Sequence, residues 1–81
     1  MKVRLRLFAV AKQLAGSDLL VLEVPDGATV GQLREQLSVD VPALALVVPH
    51  VLFALGSDYV RDDQMIPADR EMACIPPVSG G

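Results

Sequence analysis

Apolar and charged residues alternate at the start of the chain: Val3, Leu5 and Leu7 occupy one side of a two-residue period, and Lys2, Arg4 and Arg6 the other. That period predicts a strand with one face in a core and one in water. After Phe8 the run Ala9 to Ala15 favours a helical turn, and Gly16 is placed to end it in the left-handed region. Leu19 to Val24, apolar and ending at Pro25-Asp26-Gly27, reads as a second strand antiparallel to the first, the two expected to form the centre of the sheet. Thr29 and Gln32 have capping-box spacing, so a helix is expected from Val30. It should carry Val30, Leu33 and Leu37 on its buried side and Gln32, Arg34, Glu35 and Gln36 mostly in solvent, over about two and a half turns.

From Val41 to Leu55 the pattern is almost uniformly apolar, but Pro42 and Pro49 interrupt it and it falls short of the ~18 residues of a membrane span. We divide it into a short helical or irregular piece, 42–48, and a strand, 51–55. A turn at Gly56-Ser57-Asp58, a short strand at Tyr59-Val60, a polar connection over 62–70 and a last strand over 71–75 complete an α+β chain.

Composition narrows the function. Eighty-one residues make one domain, 1–81, too small to enclose a large active site. A net charge of −3 and only three aromatic residues, Phe8, Phe53 and Tyr59, argue against nucleic-acid binding. One cysteine permits no internal disulfide and, with one histidine, no structural zinc site. The N-terminus has no secretory pattern. A reducing cytoplasm fits this composition, with no membrane partner.

Isolated reactive side chains offer little chemistry. His50 follows a proline in an apolar run with no nucleophile nearby, so it reads as a turn histidine. Cys74 lies between Ala73 and Ile75, an apolar setting that makes a thiol inert, and reads as a core or interface filler rather than a sulfur donor. Asp62 and Asp63, adjacent and without further spaced ligands, read as a solvated loop, and no metal is expected.

The end of the chain differs. Pro76 and Pro77 remove two donors and fix φ, so a strand arriving at residue 75 must stop pairing and continue as a stiff arm. Val78 and Ser79 lead to Gly80 and Gly81, which have no Cβ and leave the terminal carbonyl open to attack. The segment 76–81 therefore reads as a flexible tail with its chemistry at Gly81. Ordering the four residues after Pro77 costs about 4–8 kcal/mol, which a docking surface must offset. Phe8, Cys74, Ile75, Pro76 and Val78 are the expected contributors, since 52% of the residues are hydrophobic and a domain of this size leaves some exposed.

Pro76-Pro77-Val78-Ser79-Gly80-Gly81, with Leu7-Phe8-Ala9, Lys12 to Gly16 and Glu71 to the end, resembles the small, sulfur-carrying subunit of molybdopterin synthase over the whole chain. The sequence departs from that family at Ala68-Asp69-Arg70-Glu71, where Asp-Gly-Asp-Glu is common. It departs also at Cys74, usually aromatic, and at Gly56-Ser57-Asp58, where Asn is common. The resemblance implies a ubiquitin-like β-grasp, a mixed sheet of four to five strands against one main helix. It implies that the chain binds no cofactor and is not catalytic alone. An activating enzyme would use ATP to adenylate Gly81, and a persulfide sulfur would displace AMP to leave a thiocarboxylate. The tail would then enter a large catalytic subunit, likewise implied, in a heterotetramer, and donate sulfur to a cyclic pyranopterin precursor. A ubiquitin-like modifier acylating lysine, a sulfur carrier for thiamine or another pathway, and an inert interaction domain remain the alternatives. The proline pair favours the molybdopterin family over thiamine carriers.

Overall fold

The computed structural model describes residues 1–68 and 70–77. The alternating N-terminus forms strand β1 (Lys2–Leu7), with Val3, Leu5 and Leu7 buried. Helix α1 (Ala9–Ala15) follows and is closed by Gly16 at φ 74°, whose N–H donates to the Lys12 carbonyl at 3.0 Å. Strand β2 (Leu19–Glu23) returns antiparallel to β1, and a turn with Gly27 at φ 80° leads to helix α2 (Val30–Asp40).

The capping box is present: the Gln32 N–H donates to Thr29 Oγ1, and the Thr29 N–H donates to Gln32 Oε1 at 2.8 Å. α2 buries Val30, Leu33 and Leu37, as the period requires, and its eleven residues run slightly past the expected length. Its other leading N–H groups also find acceptors. Val30 N–H donates to the Gln64 carbonyl at 2.9 Å and Gly31 N–H to the Asp62 carbonyl at 3.0 Å, so the polar connection lies across the helix start.

The apolar middle resolves into two 3-10 turns, Pro42–Leu44 and Val48–His50, which bury Leu44 and Val48. Strand β3 (Leu52–Leu55) then pairs with β4 (Asp58–Val60) through a two-residue turn with Gly56 at φ 60°. Strand β5 (Glu71–Ile75) pairs parallel with β1 and antiparallel with β3. The result is a mixed five-stranded sheet in the order β2-β1-β5-β3-β4, with the helices on one face: a ubiquitin-like β-grasp.

That order corrects one expectation. β1 and β2 do pair, but β2 lies at an edge and β5 occupies the middle. Pairing of neighbouring strands is a local matter, whereas the side on which a late strand joins is decided by burial. Met72 and Cys74 complete the core only when flanked by β1 and β3. No helix among the described residues is long and apolar enough to cross a membrane.

Candidate functional site: the end of β5 and the open sheet face

The register places alternate residues of each strand on opposite faces. Leu5 faces the core beside Met72, and Leu7 and Phe53 beside Cys74, and all are buried. The opposite face carries Arg4 beside Glu71, Arg6 beside Ala73, Leu52 beside Ile75, and Ala54 beside both Ala73 and Tyr59. No helix covers this face among the described residues. Phe8, extended at φ −127° and ψ 155°, continues the outward positions of β1 next to Ile75.

The open face is graded along the strands. At the end where β5 leaves the sheet it is apolar. Phe8 is 45% exposed and Leu52 50%, beside half-buried Ile75, and the apolar surface continues one row inward through half-buried Ala73 to Tyr59, 64% exposed. Midway, the Arg6 guanidinium donates to Glu71 Oε1 at 2.9 Å and Arg4 reaches Glu71 Oε2 at 3.3 Å. The hydrogen bond from Arg6 holds the Glu71 carboxyl below its usual range. β5 therefore delivers the chain from the centre of the sheet to the border of an exposed apolar surface. Pro76 is buried there and Pro77 is exposed, and Val78, Ser79, Gly80 and Gly81 lie outside the described residues, as does Asp69.

The expected interface residues separate on this geometry. Phe8 and Ile75 are on the open face, so an incoming surface meets them. Cys74 is not. Its side chain is fully buried among Leu7, Phe53 and the rest of the core, so it fills the interior and contributes no docking surface. Burial pushes its thiol up to about 11, against a smaller opposing pull from Arg34. Pro76 is covered too and offers little area. His50 is exposed at the end of the second 3-10 turn, and no cluster of metal-ligating side chains occurs among the described residues.

Sequence reasoning missed Leu52 and Tyr59. β3 reads Leu-Phe-Ala-Leu, apolar on both faces, so alternation is silent about which residues point outward. It also placed Arg34 mostly in solvent, and it did not foresee that Asp62, exposed as expected, would pair with it. Arg34 is 19% exposed: its Nη1 donates to the Val48 and Val51 carbonyls at 2.6 and 2.8 Å, and its Nη2 to Asp62 Oδ1 at 2.9 Å. Its guanidinium lies 4.9 Å from the Phe53 ring centroid. The available signal was spacing, because Arg34 stands four after Val30 and three before Leu37, on the border of the buried stripe.

A β-grasp whose central strand runs into a proline pair at the border of an exposed apolar face defines the class of small ubiquitin-like carriers and modifiers. Residues 5–81 match the model of the ThiS family, and the chain belongs to that family. It is 35% identical over 80 residues to a molybdopterin synthase sulfur carrier subunit of Arabidopsis thaliana, covering 99% of this chain and 83% of that one. It is 36% identical to the protein of the same name in Chlamydomonas reinhardtii, with both chains covered completely. Among solved structures, SAMP1 of Haloferax volcanii superposes with a TM-score of 0.85 at 29% identity, again over both whole chains.

Proposed function

We propose that this chain is the sulfur carrier subunit of a molybdopterin synthase and that Gly81 is its reactive end. The observation that carries the reading is β5, which passes from the sheet centre into Pro76 and Pro77 beside an open apolar face, with Gly80 and Gly81 following in sequence. A relative matched over its full length carries the same function in its name. The burial of Cys74 supports a terminal rather than a thiol-based sulfur, since a fully enclosed thiol is neither ionised nor reachable at neutral pH.

A terminal carboxylate is ionised at pH 7 and resists nucleophiles, so it needs activation. A carboxylate oxygen of Gly81 attacks the α-phosphorus of ATP on an activating enzyme and releases pyrophosphate. The sulfur of a persulfide then attacks the acyl carbon, and AMP leaves with that oxygen. A second thiol cleaves the S–S bond, is oxidised to a disulfide and frees the thiocarboxylate. The chain binds no cofactor and supplies no catalytic side chain. Its large partner subunit, in a heterotetramer, catalyses transfer to the pyranopterin precursor. These events belong to the cytoplasm.

Deleting Gly81 tests the reading. The truncated chain should keep its circular dichroism spectrum and melting temperature, because the last strand among the described residues ends at Ile75, and should lose sulfur transfer in a reconstituted synthase. Terminal peptides from cells with the activation pathway should include a form about 16 Da heavier, sulfur having replaced oxygen. Retained transfer after truncation overturns the proposal. The likeness to SAMP1 favours a second outcome to look for, Gly81 joined to lysine of other proteins, which would reassign the chain as a modifier.

A further inference from the structure

The open face has a second end. At the start of β5, on the side away from Pro76, a shallow cleft of about 430 Å³ is lined by Lys2, Arg4, Val21 and Arg70. Three of the chain's seven lysines and arginines thus meet around one exposed valine in a protein of net charge −3. Glu71 accepts from Arg4 at the cleft edge and from Arg6 beyond it, so Arg4 is partly neutralised, and Glu23, across from Lys2, lies 3.7 Å from the N-terminal amine. Lys2 and Arg70 make no ion pair among the described residues.

We infer that this cleft is a docking point for an acidic segment of the protein that takes the tail, a second contact beyond the apolar end. The inference rests on the carrier reading for the identity of that protein. Ile75 stands five positions after Arg70, about 16 Å along an extended strand, so one partner face of ordinary size spans both ends. The two ends do different work. The apolar end supplies contact area. The basic end attracts carboxylates over a Debye length of about 8 Å and orients the approach, so that Pro77 arrives facing its channel. Three of seven cations gathered at one cleft in a chain of net charge −3 give this orientation a definite sign. A short basic peptide or a nucleic acid does not share this fit with the apolar end.

The test uses Lys2→Glu/Arg70→Glu, with Lys12→Glu/Arg61→Glu as a control carrying the same change in net charge elsewhere on the surface. In a titration of the labelled full chain with hexaglutamate, amide shifts should centre on Lys2, Arg4, Val21 and Arg70, disappear at high salt, and be absent from the cleft variant but not from the control. Association with the synthase large subunit should slow at least tenfold at low salt in the cleft variant and lose most of its salt dependence, with less than about a threefold change in the control. Hexaglutamate shifts scattered over the surface, or a larger response at the same amides to oligothymidylate, overturn the cleft as a carboxylate site. Equal on-rates for the two variants overturn its assignment to this partner. If the wild-type chain does not bind the large subunit, the carrier reading fails, and the peptide titration still decides the cleft.

Discussion

Cys74 shows how far a single position is readable. Ala73 and Ile75 on either side announce an apolar setting, and the structure encloses the thiol completely. Which face of β5 it takes was not legible, because five residues with mixed small and large apolar side chains give no period by themselves. Its register beside Leu7 and Phe53 decides the matter. With the thiol raised to about 11, iodoacetamide should alkylate the folded chain at pH 8 more than about a hundredfold more slowly than the chain in urea. The sign on stability follows. The unfolded thiol releases its proton above pH ~8.5 while the folded one holds it, so the contribution is intact below that value and is lost as pH rises towards 11. Mass spectrometry of the labelled chain and urea midpoints between about pH 7 and 10 measure both effects. Alkylation at equal rates in folded and unfolded chains would show that the thiol is reachable.

At the scale of elements, α2 was legible at its start because Thr29 and Gln32 carry the capping chemistry within four residues. Its second support was not. The carbonyls of Asp62 and Gln64 come from thirty residues away, and nothing in a polar connection marks it as a lid on a helix. Arg34 ties the same elements together, joining α2 to the second 3-10 turn, to the chain entering β3 and to the connection. Replacing it with methionine keeps the bulk over Phe53 but leaves two carbonyls without their charged donor. Arg34→Met should therefore lower stability by about 2 kcal/mol, a fall of roughly 10 °C in Tm. Arg61→Ala, which removes an exposed partner of Asp63, should stay within about 0.5 kcal/mol of wild type. Differential scanning calorimetry distinguishes these, and equal melting temperatures would reduce Arg34 to a surface residue.

For the whole molecule, the composition foretold exposed apolar surface, and the structure places part of it around Ile75, Phe8, Leu52 and Tyr59. Ile75→Asp should weaken binding to the synthase large subunit by at least thirtyfold, about 2 kcal/mol, while circular dichroism remains unchanged. Asp63→Ala is the suitable neutral comparison, because Asp62 is committed to Arg34. Equal affinities by calorimetric titration would place the interface elsewhere. Strand pairing between neighbours was legible, and the sheet order was not, since the middle position goes to the strand that arrives last. That lateness has a consequence for synthesis. Arg4 waits for Glu71, sixty-seven positions later, so a ribosome-bound chain lacking β5 exposes both flanks of a gap in its sheet. Closure of so distant a pairing is slow compared with a local hairpin. A chain interrupted before residue 71 has no closed core, so Pro76, Pro77 and the glycines that follow in sequence leave the ribosome only after the strand that completes the fold.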